Sequence, residues 1–232
     1  MNFIKKNLKA FHGKLPSGWL LKCVLALFGT ACSAFGMAIN SAAGLGNDPV
    51  AVFYDGIRSL ARLSPYQLGV ATNIINYSLA AAVFILDRKY INIGTFLYTL
   101  PMGSFIDAGT HIYRSLGLPP SLAVKILSAC AGCLLLYFGI SLFISLEIGI
   151  DPVSGMLMIL KDRFHRSYKA VKIACDIAAF VLGAMLGGKF GAVTIASALL
   201  GGPLIEMFCR INKKHLFVWL KICKGCGTNN QK

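Results

Sequence analysis

Apolar residues run in long stretches along this chain, and the polar ones gather between them. Six stretches, near residues 20–40, 68–86, 91–108, 122–146, 170–187 and 191–209, approach the roughly 20 residues that carry a helix across about 30 Å of hydrocarbon. Two others, Val50 to Leu60 and Val153 to Leu160, are only half as long before Arg62, or Lys161, Asp162 and Arg163, interrupts them. Each short stretch follows Asp-Pro. An aspartate accepts from the free N–H groups of a first helical turn and proline needs no N–H there, so the pattern predicts helix starts capped by Asp48 and Asp151.

The pattern also recurs. Phe35-Gly36, Gly46, Asp48-Pro49-Val50 and Ser64 are answered by Phe138-Gly139, Gly149, Asp151-Pro152-Val153 and Ser167 at an offset of 103 residues. Thr95, Gly103, Ile106 and Asp107 are answered by Thr194, Gly202, Ile205 and Glu206 at an offset of 99. The expected fold is therefore an all-α membrane protein of two tandem repeats, at residues 20–115 and 120–211. Each repeat holds three transmembrane helices and one short Asp-Pro-capped helix.

A short apolar helix after a Gly-rich break fits a re-entrant segment, which membrane depth tolerates where protein or a wet cavity satisfies the freed backbone groups. Each copy then crosses three times and the second lies upside down, an inverted-topology plan in which broken helices meet near the midplane. If both short helices cross instead, the copies run parallel with eight crossings. Length favours the inverted plan, because the parallel one places Lys161-Asp162-Arg163 near mid-membrane.

Composition supports the bilayer. Mean hydropathy is +0.67, with 56% hydrophobic and 14% charged residues, and no single soluble core hides so much apolar sequence. A net charge of +14 would suggest nucleic acid on a soluble domain, but here the basic residues sit at helix ends, as the positive-inside rule describes. No nucleic-acid partner is therefore expected. The inverted plan puts 18 of the 23 Lys and Arg on the cytoplasmic side, Arg88, Lys89 and Lys161 among them, and leaves Arg58, Arg62, Arg114, Lys125 and Lys189 outside. Both termini, the basic arm 1–19 and the basic tail 212–232, come out cytoplasmic. Charge alone gives the parallel plan a slight edge, at 20 to 3.

Cofactor and metal chemistry find little support. Six of eight cysteines lie in or beside apolar stretches, where cysteine is a small hydrophobe. Outside the apolar stretches, Cys223-Lys224-Gly225-Cys226 has ligand spacing, two donors short of a zinc site. No catalytic constellation appears, so no enzyme is expected.

Acidic residues within apolar sequence are functional candidates, since a carboxylate there costs several kcal/mol or more unless paired or hydrated. Asp48 and Asp151 are first read as caps; the functional alternative is that two helix N-termini face each other across a pathway and hold a polar solute. Asn73 and Asp176 occupy matching places in the second long helix of each copy, as interhelical hydrogen bonds or pathway lining. Asp107 and Glu206, near helix ends, are expected at the membrane interface or paired with Arg114 and Arg210. The pairs Gly183/Gly187 and Ala198/Gly202 read as close helix packing.

The Gly-x-Asp-Pro-Val turn with its short helix, and the duplicated ends Gly103 to Asp107 and Gly202 to Glu206, resemble the bacterial YczE/YitT-like membrane proteins from about Leu20 to Ile211. The resemblance implies a multi-pass protein of the bacterial cell membrane, at times connected with transport, and brings no catalytic residues. The expected function is a small-solute transporter or exporter, with a site between the repeats at Asp48, Asp151, Asn73 and Asp176. The alternative is an accessory or regulatory membrane protein that binds a partner. The expected partners are the lipid bilayer and a small solute, with a homo-oligomer compatible.

Overall fold

The computed structural model describes the backbone of residues 19–119 and 121–226, and side chains as far as residue 214. The basic arm, the end of the tail and the Cys223 and Cys226 side chains lie outside the described residues. Eight α-helices follow one another: α1 Trp19–Ala43, α2 Pro49–Leu60, α3 Leu68–Leu86, α4 Ile93–Ser115, α5 Leu122–Ser145, α6 Pro152–Phe164, α7 Tyr168–Met185 and α8 Ala192–Cys226. A 3₁₀ turn, Arg88–Tyr90, joins α3 to α4.

Four helices, α1, α3, α5 and α8 as far as Lys214, are long and apolar enough to cross a membrane. The other two expected spans, α4 and α7, have 23 and 18 residues; α4 is less apolar, and α7 carries three charged residues, Lys169, Lys172 and Asp176. Helix α8 also runs past its expected end near 209. Local chemistry sets the starts. Ser121 accepts from the N–H of Val124 and Ser167 from that of Ala170, while Asn92 and Thr95 form a capping box.

At the centre α1 and α5 cross antiparallel. Lys22 Nζ donates to the Leu146 carbonyl at 3.3 Å near one end of the pair, and Asn40 Nδ2 meets Cys133 Sγ at 3.5 Å near the other. Between these points the backbones touch. A Cβ on Gly36 would overlap Gly132 and Leu136, and one on Gly29 would come within 3.0 Å of the Gly139 carbonyl. Gly29 and Gly132 are 103 residues apart, as are Gly36 and Gly139, so each helix presents the same two glycines to the other.

Helix α4 lies along α1, with Gly109 against Phe35 and Ala38, and α8 lies along α5, with Asn212 Nδ2 donating to Ser141 Oγ at 2.9 Å. The core between them is built from Ala34, Met37, Met102, Ile106 and Leu136. The short helices pack crosswise, α2 on α7 through Gly56 and Gly183, and α6 on α3 through Gly155 and Val83. Backbone turns recur as well. Left-handed conformations at Gly44 and Arg62 return at Glu147 and His165, each 103 residues on.

Candidate functional site

The loops that launch the two short helices are each gripped by a helix start from the opposite half. Val193 N–H donates to the Leu45 carbonyl at 3.1 Å, and Gly191 abuts Leu45 and Gly46. In the other loop Gly94 N–H donates to the Ile148 carbonyl at 3.3 Å, and Thr95 Oγ1 donates to the Ile150 carbonyl at 2.8 Å. A Cβ on Gly94 or Gly149 would strike the other's backbone at 2.9 Å or less. This explains why Gly46/Gly149 and Thr95/Thr194 recur in the sequence: they build two equivalent joints.

From these joints α2 and α6 lead away with Asp48 and Asp151 at their starts. Tyr54 is buried and its hydroxyl donates to Asn76 Oδ1 at 2.9 Å. Asp151 caps as expected, its Oδ2 accepting from Ser154 N–H at 2.9 Å. Asp48 does not. Its φ and ψ of −63° and 157° match the −68° and 157° of Asp151, yet its side chain makes no cap hydrogen bond, and Oδ1 is enclosed without a partner.

Asp176 lies within reach of Asp48 but is not a lone carboxylate in an apolar run. Lys172, one turn earlier, donates to its two oxygens at 2.9 and 3.2 Å. Asn73 serves packing: its Oδ1 accepts from Gly103 N–H at 3.0 Å across the α3/α4 seam. The structure thus engages Asp151 in a cap and Asp176 with Lys172, and holds Asn73 at a helix interface.

Of the two expectations for Asp107, pairing with Arg114 is not seen. Asp107 accepts from Gly69 N–H at 2.6 Å, satisfying the start of α3, while the Arg114 guanidinium lies over the Tyr66 ring. Glu206 pairs with Arg210 at 2.6 Å as expected. Gly183 packs closely on α2, but nothing lies within 4 Å of a Cβ on Gly202.

A buried pair escaped the sequence reading. Arg58 Nε lies 2.6 Å from Asp55 Oδ1, and Asp55 Oδ2 accepts from Lys189 N–H at 2.8 Å. The signal was present as an acid and a base three apart on one helix face. Asp55 and Lys189 help line a cavity of about 10 Å³ with Ser41, Asn47 and Ala51, room for about one water.

A charged clamp lies outside the apolar layer. Asp162, at the end of α6, accepts from the Tyr90 hydroxyl at 2.5 Å and from Lys89 Nζ at 3.2 Å, and Lys89 also pairs with Asp87 at 2.8 Å. The Tyr90 and Lys89 hydrogen bonds hold the Asp162 carboxyl below its usual range, and the Lys89 side chain does the same for Asp87. Those partners raise the Lys89 ammonium. Among the described residues, no group of three or more His, Cys, Asp or Glu could hold a metal ion.

An all-helical chain with four apolar spans and a buried polar centre is an integral membrane protein. Residues 20–210 match the model of a family described as "Family of unknown function (DUF6198)", and the chain belongs to that family. It is similar to an "Uncharacterized protein" of Haemophilus influenzae, 26% identical over 187 residues that cover 81% of this chain and 83% of the relative. It is also similar to two proteins of Bacillus subtilis. The uncharacterized membrane protein YczE is 22% identical, over 81% of this chain and 85% of its own length; YyaS is 21% identical, over 78% and 89%. No solved structure matches.

Proposed function

We propose that the chain is a small-solute transporter or exporter of the bacterial cell membrane, built from two inverted repeats around a polar centre. The observation that carries this reading is the pair of equivalent joints at the starts of α2 and α6, where Val193 grips Leu45 and Thr95 grips Ile150, each from the opposite half. Half-helices that begin at the midplane and point away from each other leave N–H groups and carboxylates where a solute passes. Its partners on this reading are the bilayer and a small solute, and no catalytic step is assigned.

The antiparallel α1/α5 crossing supports inversion. Both helices are long enough to span, so twin helices that pack antiparallel enter the membrane from opposite sides. Parallel repeats would run them the same way. Single cysteines at 62 and 88 in a cysteine-free background, probed with an impermeant thiol reagent in intact cells, test this. Labelling at 62 alone is expected, and labelling at 88 alone ends the inverted plan.

Transport itself is tested by comparing the metabolites of a deletion strain with its parent, then measuring flux of the accumulated solute in proteoliposomes. Flux that the folded double variant D48N/D151N loses is expected, and unchanged flux overturns the assignment of the site. A second reading, a non-transporting accessory protein, is favoured by the small size of the cavity beside Asp55. Equal metabolite pools in the two strains would select it.

A further inference from the structure

The two short helices are fixed alike at their starts and differently beyond them. The start of α2 is held by the Val193–Leu45 hydrogen bond, and that of α6 by the bonds of Gly94 and Thr95 to Ile148 and Ile150. Past the joint, seven of the twelve residues of α2 are buried, Asp55 and Arg58 among them. In α6 only four of thirteen are buried, the last of them Ile159, and Asp162, Arg163 and Phe164 at its end are exposed.

The packing of the two helix bodies differs in kind. Helix α2 meets its neighbours backbone to backbone: a Cβ on Gly56 would come within 2.6 Å of the Gly183 carbonyl, and one on Gly188 would overlap the Val52 carbonyl. Contact that close leaves no slack for one element to shift alone. The counterpart in α6 is a glycine against a side chain, with Val83 Cγ1 3.4 Å from a Cβ on Gly155, an ordinary van der Waals distance.

The connections that cross from the opposite half divide in the same way. Counted at the offset of 99 that relates Thr95 to Thr194, Gly188-Lys189 answers Lys89-Tyr90. Lys189 holds α2 through its backbone N–H, 2.8 Å from Asp55 Oδ2, and the Arg58 that pairs with Asp55 donates in turn to the Leu63 carbonyl at 2.9 Å. Lys89 and Tyr90 hold α6 through side-chain tips, both on Asp162, and the Lys89 and Asp162 side chains are 51% and 46% exposed. An exposed ion pair gives way to water easily, whereas parting a buried one strands a charge.

We infer that α6 is a lid, hinged at the Asp151 joint and latched at Asp162, which lifts off α3 as a unit while its twin α2 stays in place. Lifting parts Gly155 from Val83 and opens the bundle on the α6 side alone. The inference rests on the unequal fastening of the two helices and not on the transport reading, since a lid on an accessory protein would release in the same way.

Hydrogen exchange of the full-length protein in detergent, resolved peptide by peptide, tests it. Amides from Gly155 to Phe164 are expected to exchange together, and faster than those from Val52 to Leu60 in α2. Asp162→Ala removes the latch acceptor and is expected to speed exchange along the whole of α6 about three- to tenfold, with α2 unchanged. Should that variant not fold, K89Q/Y90F releases the same latch from the other side and gives the same result. Bridging the variant Y90C/D162C with a bis-maleimide, in a cysteine-free background, is expected to slow α6 again. Equal exchange of α2 and α6 in the wild type overturns the inference. So does an effect of the folded variants confined to Lys161 to Phe164, which is fraying of a helix end and not the motion of a lid.

Discussion

The seam between α3 and α4 and the seam between α7 and α8 occupy matching places in the two halves, yet one is shut and the other open. In the first, a Cβ on Gly69 or Gly103 would overlap the other's backbone, Asn73 takes the Gly103 N–H and Asp107 takes the Gly69 N–H. In the second, Lys172 stands where the offset of 103 places the twin of Gly69, and Asp176 stands for Asn73. A lysine cannot let two backbones meet as a glycine does, and its ammonium draws the acid to itself. The exchange of one glycine for a cation replaces a close backbone contact with an ion pair.

The largest effect expected from testing this contrast is at the backbone contact. Gly69→Ala or Gly103→Ala forces the closed seam apart and costs about 1–3 kcal/mol or more, whereas Gly202→Ala stays within about 0.5 kcal/mol. Equilibrium unfolding of the detergent-solubilised protein checks this, and equal losses at 103 and 202 would erase the distinction.

A smaller difference is expected at the polar pair. Asn73→Ala removes an interhelical hydrogen bond worth about 0.6–2 kcal/mol. Lys172→Ala removes an ion pair whose lysine side chain is 40% exposed, so screening keeps its cost below about 1 kcal/mol. The same unfolding assay ranks them, and a larger loss at 172 would show that the second seam is held by its charges.

Accessibility sharpens the contrast without a stability readout. In a cysteine-free background, Gly202→Cys should react with a small thiol reagent in membranes much faster than Thr99→Cys, which replaces a buried residue of the closed half. Equal rates would mean that the open seam is covered in the bilayer.

The smallest effect concerns pH. The clamp of Asp87, Lys89, Tyr90 and Asp162 ties the α3–α4 connection to the end of α6. Because both carboxyls are held below their usual values, their contribution is fully present above the ordinary aspartate range near about 3.9 and is lost as pH falls through their lowered folded values. Proteolysis at the 87–91 connection should quicken only at strongly acid pH, and Asp162→Asn should abolish that dependence on its own contacts. A rate that rises already near neutrality would contradict the assignment.

The sequence made the helices legible wherever an apolar run met a cap, and α3 begins and ends where its run does. The short helices were legible because Asp-Pro permits little else. Side-chain choices inside a fixed backbone were not. Asp48 and Asp151 share φ and ψ, so nothing in the local sequence rule separates the carboxylate that caps from the one that does not. The pairing of Asp176 with Lys172 one turn earlier was not legible while basic residues were read only as charges at helix ends. Gly29 and Gly132 were missed because a lone glycine in an apolar run carries no signal until its twin is aligned with it.

That glycine crossing carries an evolutionary consequence. A surface that is its own complement when turned over needs only one kind of subunit, so a single four-helix unit inserted in both orientations could have closed the same bundle as a pair. In such a pair every substitution strikes both sides at once, and a lysine at the position of Gly69 would have opened both seams together. Joining the copies in one chain removes that constraint. On the proposed inverted-repeat reading, Gly29, Gly36, Gly132 and Gly139 keep the symmetry of such a pair at the axis, while the outer helices are free to diverge.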